Sequence, residues 1–464
     1  MNASLAVPVP TTVSAIYRWE DDPLLFRRPK TWLLLLSLFL LASGNGFVSE
    51  QPRYGFTLKA VQAEGQPADK LIYATILMLL IGIAVMATWI LPTIRQMLRQ
   101  KHVLVFAVAA IISTAWSQVP DQTIRKAVLL LFSMLFAWFF STYYSPADQI
   151  RILIALGAAV VLSSIAWVIL LPQYGISYSG DWKGIFGQKN LLGSSIVFLF
   201  SGAFFFRIPS RRDLLIWAMP AMLPLGLLIM SKSRTSWVLA ALLVGFRILS
   251  PIIVRMKRET IPFMLFGALF VAVVAFVGMS EVLSLVGRDL SFTGRTHEWK
   301  VIFPFALTHV WFGYGYQGFW TGTEGDSGRV DAILGAVTTV ADNGYLDIML
   351  QFGVLGLGML IVLLAISVRD FLRLLRRSSV PLIALWYAGT IFVVFVGSCT
   401  EGMFWMPVRI IPFMLTLACA GLRNLGDKQD YSRFSVRQTY GVSLCRDQMP
   451  LAPADGISLF PHSL

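Results

Sequence analysis

Apolar runs of membrane length recur along almost the whole of this 464-residue chain, and they leave few folds open. A helix needs about 20 mostly apolar residues to cross a bilayer, and within lipid only helices or closed barrels satisfy their backbone. Runs that meet this description cover 31–47, 71–91, 103–116, 127–144, 152–171, 191–206, 214–230, 237–254, 261–279, 345–368, 381–398 and 407–422. The expected fold is therefore all-α, a polytopic integral membrane helical bundle of about twelve transmembrane helices. One large loop, 281–343, separates spans nine and ten. Residues 1–30 form an N-terminal segment, 31–424 the membrane domain with that loop, and 425–464 a polar tail expected to be disordered. The composition agrees, with 56% hydrophobic and only 14% charged residues against about 25% in ordinary soluble domains.

The formal net charge of +13 would ordinarily raise the question of nucleic acid. Here the basic residues lie in short clusters between apolar runs, which is the pattern of cytoplasmic membrane loops. One set of loops carries Arg95, Arg99 and Lys101, then Arg151, then Arg207, Arg211 and Arg212. It continues with Arg255, Lys257 and Arg258, and with Arg369, Arg373, Arg376 and Arg377. Arg27, Arg28 and Lys30 precede the first span on the same side. The positive-inside rule places this set and both termini in the cytoplasm. No nucleic-acid partner is expected. The three cysteines, Cys399, Cys419 and Cys445, show neither a disulfide framework nor metal-ligand spacing, so no metal or cofactor is expected.

With that orientation four stretches face outward: 171–190, 231–236, 281–343 and 398–406. They hold the chain's most unusual polar residues. Lys183, Lys189 and Asn190 stand at the mouth of an expected helix, where free N–H groups favour an anion. Equally, the lysines would mark the water interface. The tight turn Ser231-Lys232-Ser233-Arg234-Thr235-Ser236 places two cations against the charge bias. Arginine there suits bidentate capture of phosphate oxygens, which two cations and four hydroxyls within six residues favour over snorkelling to lipid headgroups.

In the long loop, Arg288, Arg295, His297 and Glu298 fall close together. The run 311–320 alternates aromatics, Tyr316 among them, with glycine. Such rings suit sugar faces as well as membrane interfaces. Where the loop re-enters the membrane, Asp342 could serve as a general base. A helix cap by Asp342 or Asn343 is the alternative, and the one the residues alone favour. Matched pairs of broken helices, a mark of inverted-repeat transporters, are not evident.

Several of these motifs together resemble the O-antigen ligase and polysaccharide polymerase (Wzy-type) superfamily, and most of all its ExoQ-like exopolysaccharide polymerase branch. They are Gly184-Ile185-Phe186-Gly187-Gln188-Lys189-Asn190, Ser231-Lys232-Ser233-Arg234-Thr235 and Gly287-Arg288-Asp289 through Gly294-Arg295-Thr296. Gly313-Tyr314-Gly315 and Asn343-Gly344-Tyr345-Leu346-Asp347, followed by Gly353 and Gly356, complete the set. The resemblance covers roughly 103–421.

It implies a metal-independent, inverting glycosyltransferase at the periplasmic face of a bacterial inner membrane. The donor it implies is a sugar chain on a polyprenyl diphosphate, and undecaprenyl-diphosphate-linked oligosaccharide is the expected substrate. Polymerisation of repeat units into exopolysaccharide is the leading activity. Ligase-type transfer of finished glycan to a lipid or protein acceptor is the alternative, and a flippase or solute transporter the reading from another class. The family's diphosphate-binding arginines map onto Arg234 and Arg295, with Arg288 and Lys189 behind them. Ligase members carry a histidine where this chain has Asp342, so the base is expected to be Asp342 or else His297. The catalytic candidates are thus Arg295, Arg234 and Asp342. Arg288, Lys189, Asn190, Lys232, His297, Tyr316 and Asn343 are the substrate-binding candidates. Besides membrane lipids, a chain-length regulator and export proteins are candidate partners.

Overall fold

The computed structural model describes residues 12–14, 25–43, 69–177, 179–205, 222–255, 295–322, 325–335, 338–375, 379–407 and 409–426. The chain is helical almost throughout them. In order, α1 spans Pro29–Ser43, α2 Asp69–Met86, α3 Ile90–Arg99, α4 Lys101–Ile112, α5 Pro120–Tyr143, α6 Pro146–Leu170 and α7 Lys189–Phe200. A helical stretch over 222–230 then leads through a tight turn into α8, Arg234–Arg255. After it come α9 Arg295–Thr308, α10 Gly325–Leu334, α11 Gly344–Leu374, α12 Leu382–Gly397 and α13 Ile410–Gly426. Among the described residues, one short parallel strand pair, Thr12–Ser14 with Ser379–Pro381, departs from the helical pattern.

Ten of the twelve expected spans coincide with apolar helices. Thr75–Arg99, Pro120–Tyr143, Pro146–Leu170, Arg234–Arg255 and Gly344–Leu374 are long and apolar enough to cross a membrane. Pro29–Ser43, Lys101–Ala115, Lys189–Phe205, Leu382–Gly397 and Ile410–Gly426 are apolar but shorter. Of the remaining two, 214–230 is helical in its described part, and 261–279 lies outside the described residues. Outward-facing positions are apolar as well, among them Leu80, Leu162, Ile169 and Ile361. A surface of that kind belongs against lipid.

Local chemistry sets several helix starts. Pro120 and Pro146 occupy first-turn positions where no N–H is missed. The Ser145 hydroxyl accepts from the Asp148 N–H at 3.2 Å and starts α6. The core is aromatic: Trp138, Trp386, Trp405, Tyr387, Phe136 and Phe140 are fully buried, and α13 packs against α5 and α12.

α11 is broken at Gly353, whose φ of 65° and ψ of −156° are not helical. The loop that follows α9 fills the break. Tyr314 N–H donates to the Leu350 carbonyl and Val354 N–H to the Val310 carbonyl, both at 2.7 Å. In this way the loop pairs the backbone groups that the break releases, which an apolar setting demands. A Cβ on Gly353 would lie 2.4 Å from the Trp311 backbone, so only glycine fits.

The two ends of the bundle differ in chemistry. At one end the buried Asp370 holds Arg369, Arg373 and Arg423 at 3.1, 3.4 and 3.3 Å. Gln96 donates to Asn424 there at 2.7 Å. At the opposite end of α13, about 25 Å away at 1.5 Å per residue, lies a cluster built from four loops.

Candidate functional site

The cluster begins with Asn190 on the first turn of α7. Its side-chain N–H donates to Glu401 Oε1 at 2.7 Å, and its side-chain oxygen accepts from Ser233 Oγ at 2.8 Å. Ser233 in turn lies 2.8 Å from Ser236 Oγ. Gly193 allows this approach, since a Cβ there would meet the Ser236 hydroxyl at 2.3 Å. The Thr235 hydroxyl is near enough to help draw the Glu401 pKa down. Thus the turn 231–236, the start of α7 and the loop 398–407 are joined through one carboxylate.

Arg295, the first residue of α9, completes the join. Its Nη2 meets Glu401 Oε1 at 2.8 Å, its Nε meets Asp342 Oδ2 at 3.3 Å, and its Nη1 donates to the Thr400 carbonyl. All three faces of the guanidinium are engaged, and its side chain is only 11% exposed. Burial acts to lower the Arg295 pKa, but Glu401 and then Asp342 outweigh it and hold the pKa above its ordinary value. Burial raises both carboxylates; Asp342 pushes Glu401 further up, while Arg295 draws each down. Two carboxyls on one arginine make a pair whose protons come off in coupled steps. At Asp342, burial rather than the neighbouring cation sets the direction.

Asp342 has φ of 47°, a left-handed conformation unusual outside glycine. Lys232, Gln317 and Trp405 share that conformation, and all four lie in loops at this end. Such backbone costs on the order of 1–3 kcal/mol and gathers where surrounding contacts over-determine it. The cap of α11 is Asn343, whose side chain accepts from Tyr345 N–H at 3.0 Å and Leu346 N–H at 3.1 Å. That leaves Asp342 free for Arg295.

The other sequence candidates separate clearly. Lys189 and Lys232 are drawn to Asp181, at 2.6 and 3.8 Å. Arg234 is exposed at the start of α8 and makes no side-chain bond among the described residues. His297 is likewise exposed and outside the cluster. Arg288 lies outside the described residues. Tyr316 is fully buried, and its hydroxyl donates to the Trp405 carbonyl at 2.6 Å, so it packs the fold and presents no surface to a substrate. The same holds for most of the aromatic run. Tyr314, Phe319 and Trp320 are buried, whereas Trp311 and Phe312 remain exposed. The glycines there serve backbone docking, as at Gly313 against Gln351 and Phe352, rather than approach to a ligand.

Glu401 is the member of the cluster that sequence reasoning missed. The available signal was a lone carboxylate in the short polar stretch 398–406 between two apolar runs. Arg409 was missed too, absorbed into the expected span 407–422 although an arginine in an apolar segment is itself a flag.

Residues 219–361 match the O-antigen ligase family model, which takes in the turn 231–236, Arg295 and Asp342. The chain is 25% identical over 292 residues to the exopolysaccharide production protein ExoQ of Rhizobium meliloti (strain 1021). That alignment covers 59% of this chain and 64% of the relative, somewhat less than two thirds of its length. The resemblance read from the motifs is thereby supported by two independent comparisons.

Proposed function

We propose that this multi-pass membrane protein polymerises polyprenyl-diphosphate-linked oligosaccharide repeats on the periplasmic face of an inner membrane. The observation that carries the reading is the Arg295 junction, which gathers Asp342, Glu401 and, through Glu401, Asn190 and the turn 231–236. Transfer needs a base for a sugar hydroxyl and cations for a departing diphosphate; the junction supplies the carboxylates, and the turn 231–236 that it reaches carries Lys232 and Arg234.

In the proposed step the acceptor hydroxyl oxygen attacks the anomeric carbon of the donor. The bond from that carbon to the diphosphate oxygen breaks, and its electron pair leaves with the diphosphate. Asp342 takes the hydroxyl proton, a role that contributes on the order of 10²–10⁴-fold. Burial lifts its pKa from the ordinary 3.8, toward the range where a base works well. Arg234, exposed and in no ion pair among the described residues, is the cation best placed to meet the diphosphate, and Lys232 adds charge beside it. Because Arg295 is fully engaged, its part is to position Asp342 and Glu401 and keep the pair charged. That shifts Arg295 from the diphosphate-binding role the resemblance implies. The basic end around Asp370 fits a cytoplasmic face, and the opposite end a periplasmic one.

The test is reconstitution of the full chain with a defined lipid-linked repeat. A ladder of lengthening lipid-linked products supports polymerisation, and a single transfer to a separate acceptor would show a ligase instead. Movement of the lipid-linked glycan across vesicles with no new glycosidic bond would overturn the enzyme reading.

A further inference from the structure

Beside the junction lies a second feature that the proposed step does not use. A cavity of about 280 Å³ is lined by Lys126 of α5, Gln317 and Trp320 of the loop after α9, Thr338 and Thr339, and Arg409 before α13. It is somewhat smaller than the roughly 300 Å³ at which pockets for drug-sized ligands begin, so it has room for one sugar ring rather than an oligosaccharide. Its wall carries an indole, two hydroxyls and an amide, the mix that suits a ring with apolar faces and polar edges.

Two cations face this space. Close by, Arg295 is paired with Asp342 and Glu401, and the buried Asp347 carboxylate, bonded through Oδ1 to Trp320, lies in the field of Arg409. Lys126 and Arg409 are half-buried, and neither makes a hydrogen bond or ion pair among the described residues. Two cations on one cavity wall, neither in a direct ion pair among the described residues, present donors to the same ligand and favour an anionic one. The Arg409 guanidinium also lies in the field of Glu401, Asp347 and Asp342. The one-ring size of the cavity and its mixed wall suit a ring that carries its own carboxylate.

We propose that this cavity is a subsite for a carboxylate-bearing sugar of the glycan, with Lys126 and Arg409 holding the carboxylate and the Trp320 side wall flanking the ring. The inference rests on the glycosyl-transfer reading for why a glycan is present, but the binding it describes needs no turnover.

The test measures binding of a glucuronate-terminated oligosaccharide and its glucose-terminated counterpart to the purified full chain in nanodiscs. The acidic ligand should bind at least about tenfold more tightly, a gap that K126Q and R409Q each shrink severalfold while R409K keeps most of it. Thermal melting of each variant establishes that it is folded. Equal binding of acidic and neutral ligands, or a gap untouched in a folded R409Q protein, would overturn the subsite. So would inorganic diphosphate competing strongly with the acidic ligand and losing that effect in K126Q, which would make the cavity a diphosphate site. The Arg234 and Arg295 variants, scored by product formation, test the transfer reading separately.

Discussion

Arg295 Nη2 and Glu401 Oε1 stand 2.8 Å apart across 106 positions of sequence. The contact joins the long loop to the short one between α12 and α13, and Asn190 shares the same carboxylate oxygen at 2.7 Å. Lysine in place of the arginine could reach one of these partners but not hold both carboxylates and the Thr400 carbonyl at once. R295K is therefore expected to insert and fold yet lose about 10²-fold or more of the glycosyl transfer proposed for the chain, as misplacement of a reacting group does. Near-normal polymer from this variant would remove Arg295 from the site.

The direction of the Asp342 shift gives a pH dependence. A base must be ionised, so the rate should rise with pH through a value above the ordinary 3.8, because burial raises Asp342 more than Arg295 and Arg409 lower it. Removing the Arg295 charge, as in R295Q, should move that acid limb to still higher pH. Linkage runs the other way for stability. Folding favours the protonated carboxyl, so its contribution is full below 3.8 and is lost as pH rises through the elevated value. An acid limb that ignores R295Q would count against Asp342 as the base.

Gly353 offers a structural prediction with its own control. Alanine there would need a glycine-only conformation and would drive its Cβ into the Trp311 backbone, so G353A is expected to cost roughly 2–3 kcal/mol or more. Gly358, in the same helix, has nothing within 4 Å of an added Cβ, and G358A should be neutral or slightly stabilising. Thermal unfolding in detergent compares the two. Equal melting temperatures would mean that the loop does not seat in the break.

The charge contrast between the ends of the bundle predicts where reporters fall. A periplasm-active fusion after Thr323 should be active and one after Arg373 silent, with the reverse for a cytoplasmic reporter. Both positions reporting the same side would overturn the orientation and the location proposed for the site.

The helices were legible in the sequence because a span is a local property. About twenty apolar residues must be helical in lipid whatever surrounds them, and ten of the expected spans coincide with apolar helices of the structure. The loops that carry Asn190, Arg234, Arg295 and Asp342 could likewise be read as the polar interruptions, with their motifs pointing to a family. What those residues touch could not. Whether Asp342 caps a helix or meets an arginine depends on Asn343 taking the cap, and Glu401 becomes a partner only when α12 and α13 set it beside α9. The aromatic-glycine run reads as a sugar platform or an interface belt until the break at Gly353 shows it to be a seam in the fold. Ion pairs over 106 residues, a loop threaded into a broken helix, and Lys126 and Arg409 on one cavity all follow from helix packing. Hydrophobic pattern fixes which segments lie in the membrane, whereas side-chain packing and the pairing of buried polar groups decide which loops meet.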